Sequence, residues 1–203
     1  MSKVSFCSIP FRSVSLLLTF CHRSIIYRDL KPENVGFDVA GTLKLFDFGL
    51  CKEIIEEKGF EMTGLTGSRC YMAPEVVLCQ EYGLNADVYS FAILFWEVAA
   101  LAEPFKNYSP DRHFKNVVLK GKRPTSLSVA WMSSNMVTLL KECWKTESNQ
   151  RPPFSQIIDR LRGELATLRN RTTIDKQSLK LMERSWHSRI VVKGSSSLLD
   201  TRC

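Results

Sequence analysis

The 203-residue sequence has no C-x-x-C pair; its seven cysteines, Cys7, Cys21, Cys51, Cys70, Cys79, Cys143 and Cys203, are scattered and odd in number. That argues against a disulfide framework and against a structural zinc site, and reduced thiols point to the cytoplasm. Histidine is scarce: His22, His113 and His187 lie far apart, with no nearby ligand partner. No apolar run reaches the roughly 18 residues of a membrane-spanning helix, and no segment repeats. Acid is absent from residues 1–28, which carry four Lys or Arg.

That local absence shapes the whole charge distribution. The net charge is +7, yet residues 29–163 hold 16 basic against 17 acidic side chains, and residues 164–203 hold eight against four. Basic ends on a neutral body argue against a nucleic-acid surface spread over the domain. Apolar residues make up 44% and aromatics 10%, a globular composition.

The chain divides into three parts. Residues 1–20 form an atypical N-terminal segment whose apolar run, Val14 to Cys21, reads as the end of a core helix rather than a signal peptide. Residues 21–168 form the domain. Residues 169–203 lose helical periodicity, contain the linker-like "KGSSS", and are expected to be a basic, flexible tail. Within the domain, "VGF" and "TLKLF" are strand-like and flank the turn signal "DVAG", which predicts a hairpin over 35–46. "DVYSFAILFWEVAAL", Asp87 to Leu101, is apolar on nearly all faces, as a helix buried on most sides would be. Asp87 suits its N-terminus, where a carboxylate accepts backbone N–H bonds. Further helices are expected near 111–120, 131–145 and 153–168.

The densest chemistry is in "IIYRDLKPENVGF", Ile25 to Phe37. Asp29 and Asn34 stand five positions apart, with Lys31 between them and Pro32 stiffening the backbone. Asp47 lies 13 residues beyond Asn34, across the predicted hairpin, which would return it beside Asn34. An amide oxygen and a carboxylate are hard ligands suited to Mg²⁺, which keeps waters and borrows phosphate oxygens instead of requiring a full protein cage. Lys31 can neutralise a phosphate, and Asp29 can orient a hydroxyl and accept its proton. A base, a cation and a metal clamp are what phosphoryl transfer requires.

In this order and spacing, "YRDLKPEN", "DFG" and "APE" resemble the catalytic loop, the metal-binding loop and the end of the activation segment of eukaryotic protein kinases. The resemblance covers residues from about 20 to 165. Lys31 followed by "PEN" is the serine/threonine pattern, and "DVYSFAILFWEV" with "CWKTESNQRPPF" is most similar to the tyrosine-kinase-like branch. It implies a mainly α fold with a small β-hairpin, a kinase-like C-lobe. It implies ATP and Mg²⁺, a protein substrate and an upstream kinase as partners. Asp29, Lys31 and Asn34 would be catalytic. Lys31, Asn34 and Asp47 would serve the nucleotide, with Asn34 and Asp47 on the metal and Gly49 giving the metal loop its backbone freedom. Tyr27 replaces the commoner His and would pack beneath that loop. Ser68 would hydrogen-bond Asp29 and Lys31. Asp87 would tie down the catalytic-loop backbone, and Arg151 would pair with Glu75. Arg28 would grip a phosphate on Thr63 or Thr66.

The family also uses a Gly-rich loop and a strand lysine upstream of the catalytic loop. Neither G-x-G-x-x-G nor V-A-x-K occurs in the 28 residues before Asp29. The expectation is therefore a C-lobe lacking the N-terminal β-rich lobe, binding nucleotide poorly on its own. The main reading is a protein serine/threonine kinase represented by its catalytic half. The alternative is a catalytically silent fragment or pseudokinase-like protein-binding module.

Overall fold

A computed structural model describes residues 23–38, 43–54, 64–124 and 132–170. The expectations for segment 1–20, for the turn at 39–41, for Thr63 and for the tail beyond 170 lie outside these residues. Among the described residues, no helix is long and apolar enough to cross a membrane.

Two small antiparallel sheets and a set of helices make up the architecture. β2 (Val35–Phe37) pairs with β3 (Leu43–Leu45) in the register Val35↔Leu45, Gly36↔Lys44, Phe37↔Leu43. Buried Val35, Leu43 and Leu45 face the core. A second sheet joins β1 (Ile25–Ile26) to β4 (Lys52–Glu53), and Ile54 N–H donates to Ser24 O at 2.7 Å beside it. The sequence predicts a single hairpin. This second pair is too short, and its partners too distant in sequence, to leave a period-2 signature.

The helical part begins with α1 (Pro74–Val77), opened by a proline at the first helical position, where no N–H is needed. α2 (Asn85–Ala100) is the central element, and every residue from Ala86 to Ala99 is buried. Asp87 does not cap it: the N-cap is Leu84, without a side-chain bond, and the Asp87 carboxylate instead accepts N–H groups from outside the helix. α3 (Pro110–His113) is capped by Ser109, whose Oγ accepts the Arg112 N–H at 3.2 Å. The chain then widens into a π-helical turn, Phe114–Leu119, where one continuous helix is expected from the sequence.

α4 (Ser134–Cys143) buries Met136, Leu139, Leu140 and Cys143, one stripe at helical spacing, and Ser133 caps it by accepting the Met136 N–H. The same Ser133 hydroxyl donates to Glu164 Oε2 at 2.6 Å, tying α4 to α5 (Phe154–Asn170). α5 buries Phe154, Ile157, Ile158 and Leu161. Phe91 joins the stripes, with ring centroids 5.8 Å from Phe95 and 6.1 Å from Phe154. One core cluster runs from Ile26 and Val35 through α2 to Leu161.

A buried ion pair closes the helical part. Arg151 Nη1 and Nη2 reach Glu75 Oε1 and Oε2 at 2.6 and 2.8 Å. Its other donors go to the carbonyls of Lys145 (2.8 Å), Asn85 (2.8 Å) and Thr146 (3.0 Å). All five guanidinium N–H groups are thereby used. The pair fixes α1 to the start of α2 and to the loop before α5. Removing one partner leaves the other charge buried and uncompensated. Glu75→Ala is expected to lower the urea-unfolding free energy by about 3–5 kcal/mol. A loss within error of zero would show that the pair does not stabilise the fold.

Candidate active site

Three side chains meet on one carboxylate. Asp29 Oδ2 takes an ion pair from Lys31 Nζ at 2.7 Å and a bond from Asn34 Nδ2 at 3.0 Å. Asp29 Oδ1 accepts from Ser68 Oγ at 2.8 Å. Lys31 Nζ also donates to Ser68 Oγ at 2.9 Å, and Asn34 Nδ2 to the Asp29 carbonyl at 2.9 Å. Burial of Asp29 acts to raise its pKa, but the bonds from Lys31 and Ser68, the lysine charge and the Asn34 amide outweigh it and hold the carboxyl below its usual range. Asp29 is ionised at neutral pH.

The local sequence explains how these atoms converge. Lys31 is extended, and Pro32 opens a 3₁₀ turn, Pro32–Asn34, that carries the Asn34 amide back over Asp29. β2 starts directly after Asn34, and Phe46 N–H donates to Asn34 O at 2.9 Å. The sheet thus brings Asn34 beside the Phe46–Asp47 step. Asp47 is exposed and left-handed, with φ 55°. The left-handed angle of this loop falls at Asp47 and not at Gly49, the residue the sequence marks for backbone freedom. Gly49 has a different role: its N–H donates to Asp47 Oδ1 at 3.2 Å, and an added Cβ would stand 3.2 Å from that oxygen. Tyr27 is fully buried, its hydroxyl donates to Phe46 O, and its ring meets Phe48 edge-on at 6.0 Å.

Asp87 sits beneath the loop. Its Oδ2 accepts the Tyr27 N–H at 2.7 Å and its Oδ1 the Arg28 N–H at 2.9 Å. Burial pushes its carboxyl up to about 6, against the opposing pull of those two N–H groups and of the Arg28 charge. Arg28 is left-handed, φ 69°, an angle that costs a residue with a Cβ about 1–2 kcal/mol. The carboxylate holds it there. The Arg28 guanidinium is engaged as well: Nε donates to Leu50 O at 2.5 Å, and Nη1 lies 3.4 Å from the Tyr82 hydroxyl. Arg28, Thr66 and Asp87 border one cavity of about 10 Å³, room for a single water.

Sequence reading missed the residues that seat Ser68. Gly67 has φ +112°, and a Cβ there would lie 2.4 Å from the Arg28 carbonyl oxygen. Only glycine permits that approach, and it sets the next residue against Asp29. Tyr71 donates to Glu97 Oε2 at 2.5 Å, and Ser90 Oγ donates to Tyr71 O at 2.8 Å. Glu97 and Ser90 are buried polar residues on α2, so α2 anchors this loop as well as the one carrying Asp29. A polar residue inside an otherwise apolar helix was the available signal.

A family model described as the protein kinase domain matches residues 8–161. Over 159 residues the chain is 40% identical to the serine/threonine-protein kinase VIK of Arabidopsis thaliana, covering 74% of this chain and 36% of that one. The serine/threonine-protein kinase STY46 of the same plant is 35% identical over 71% of this chain and 24% of its own. The seven transmembrane domain-containing tyrosine-protein kinase 1 of Dictyostelium discoideum is 37% identical over 70% of this chain and 20% of its own. The chain therefore spans about a third or less of the length of these relatives.

The loop's dependence on Asp87 has a direct readout. Asp87→Ala leaves the Tyr27 and Arg28 amides without their acceptor, at a cost of about 1–3 kcal/mol for each buried donor. Hydrogen exchange at these two amides is expected to accelerate at least about tenfold over amides in α4. Unchanged protection at both would mean that something else holds the loop.

Proposed function

The chain belongs to the protein kinase family, and from that premise we propose that its site transfers the γ-phosphate of ATP to a serine or threonine hydroxyl of a protein. The observation that carries this reading is the convergence of Lys31, Asn34 and Ser68 on the Asp29 carboxylate. In this reading residues 21–168 are the helical lobe of such a kinase, the half that receives the acceptor.

The roles follow from what each group has left to offer. A carboxylate presents about four lone-pair sites, and three on Asp29 are taken by Lys31, Asn34 and Ser68. The fourth accepts the acceptor's O–H and so aims its oxygen. Held ionised, Asp29 is a weak base; it orients first and takes the proton late, which suits a loose phosphoryl-transfer transition state. Lys31 has three N–H donors and places two of them on Asp29 and Ser68. Its third would be available to a γ-phosphate oxygen of bound nucleotide. Ser68 accepts from Lys31 and donates to Asp29, fixing the distance between cation and base.

The residues fit a magnesium ion. Asn34 commits its Nδ2 to Asp29, which turns its amide oxygen into the free end, and exposed Asp47 has one carboxylate oxygen on Gly49 N–H. Among the described residues, no group of three or more His, Cys, Asp and Glu could enclose a metal, and Mg²⁺ needs none when waters and phosphate oxygens complete its shell. When bound, the ion would neutralise charge on the nucleotide phosphates. Asn34 and Asp47 would hold it.

The same reading makes Thr66 a regulatory site that an upstream kinase could modify. A cavity of about 10 Å³ beside Arg28 has no room for a phosphate. A phosphate on Thr66 would meet the guanidinium only after the segment moves, and that movement is the switch. Phosphosite mapping of active protein is expected to find Thr66 modified; an unmodified Thr66 in fully active protein removes it from the scheme.

The transfer reaction itself is tested with the full chain, millimolar Mg²⁺ and γ-labelled ATP. Labelled phosphoserine and phosphothreonine are expected in casein. Asp29→Asn is expected to lower the rate about 10²–10³-fold. No labelling, labelling confined to tyrosine, or a rate unmoved by the substitution would each overturn the proposal.

A further inference from the structure

The kinase reading leaves one strongly charged surface unused. Residues 104–124 hold six Lys or Arg, namely Lys106, Arg112, Lys115, Lys120, Lys122 and Arg123, against the single acid Asp111. Arg123 is committed to the interior: it donates to the carbonyls of Trp144 and Val117 and lies over the Tyr89 ring. Others turn outward and gather on one residue. The Arg112 guanidinium stands 4.5 Å from the centre of the Tyr108 ring, and Lys122 Nζ 5.9 Å from it. Arg69, from a different loop, reaches the Tyr108 carbonyl with Nη2 at 3.5 Å.

Three exposed cations from three separate segments thus surround one half-buried tyrosine. None of the ion pairs among the described residues involves them. Glu103 borders this stretch and Asp111 lies within it, yet neither forms an ion pair with these cations, and like charges gathered in this way repel one another unless a further anion joins them. The field reaches inward. His113, buried and edge-on to Phe105 at 5.1 Å, has its pKa depressed to about 4, first by burial and then by the charges of Arg69 and Arg123. The imidazole is neutral at pH 7 and adds no charge of its own.

Arg69 connects this surface to the active site. It follows Ser68, whose hydroxyl touches Asp29 Oδ1 at 2.8 Å. The Arg69 α-carbon is therefore within roughly 10 Å of that carboxylate, a span of about three residues of extended peptide. The Arg112 guanidinium is exposed and lies 4.5 Å from the centre of the Tyr108 ring, a contact that restrains it where it can meet a carboxylate.

We propose that Arg69, Arg112 and Lys122, gathered on Tyr108, bind an acidic stretch of the protein substrate a few residues from the acceptor hydroxyl. The occupant is a polypeptide carrying Asp or Glu, chosen by charge complementarity and by continuity with Asp29. The inference rests on the kinase reading for its notion of a substrate, but it concerns binding and is tested without nucleotide.

The test uses the full chain and fluorescein-labelled peptides, each with one serine followed by four glutamates, four lysines or four alanines. Anisotropy is read in about 50 mM salt. The glutamate peptide is expected to bind about tenfold more tightly than the alanine peptide, as three exposed ion pairs would give, and the lysine peptide more weakly still. Arg112→Glu with Lys122→Glu is expected to reverse that order, whereas Lys141→Glu on α4 leaves it in place. Equal affinities for the three peptides overturn the proposal, as does a double variant that still prefers glutamate. Binding to duplex DNA or to phosphatidylserine vesicles that outcompetes the glutamate peptide overturns it too. A failure to transfer phosphate from ATP bears on the kinase reading and leaves these affinities untouched.

Discussion

The Asp87 carboxylate, buried near the start of α2, accepts the backbone N–H groups of Tyr27 and Arg28 from sixty residues earlier in the chain. Much of the site follows from those two bonds. They keep Arg28 in a left-handed turn, and the turn delivers Asp29 to the place where Lys31, Asn34 and Ser68 find it. The Arg28 carbonyl it exposes is the surface on which Gly67 lands. A single buried acceptor thereby couples two loops distant in sequence, through backbone atoms whose positions no side-chain packing would define as sharply.

α2 acts as the common support. Its apolar faces fill the core, while its few polar residues reach two loops: Asp87 holds the Tyr27–Arg28 step, and Glu97 and Ser90 hold Tyr71 by its hydroxyl and its carbonyl. Buried polar atoms are costly unless matched, so each specifies its partner with little tolerance. The Glu75–Arg151 pair extends the same logic to α1 and the loop before α5. Replacing such a pair with apolar residues can be neutral for stability; its distinct contribution here is that five directed bonds leave one arrangement of the three segments.

Much of this was legible in the residues. α2 announces itself as a run apolar on nearly all faces, α4 and α5 as the helices expected near 131–145 and 153–168, and β2 and β3 as strand-like stretches. The grouping of Asp29, Lys31 and Asn34 is local, so five positions and a proline were enough to suggest their meeting. Other features left no such trace. The β1–β4 sheet has two residues a side. The π-helical turn after α3 shares its composition with an α-helix. Asp47, not Gly49, takes the left-handed angle, because the turn is set by how Phe46 and Gly49 are held and not by which residue tolerates it most easily.

What the sequence determined by itself is the inventory and its local order: which residues could act as base, cation and hard-oxygen ligand, and which stripes must be buried. Periodicity and short-range spacing encode these directly, since a helix or a tight turn converts separation in sequence into separation in space by a fixed rule. Only the tertiary structure decided that Gly67 presses on Arg28, and that Arg69, Arg112 and Lys122 converge on Tyr108. Those contacts depend on how loops of unrelated composition are seated on α2. Seating is set by the packing of the whole core, a sum over many weak contacts that no short window of sequence contains.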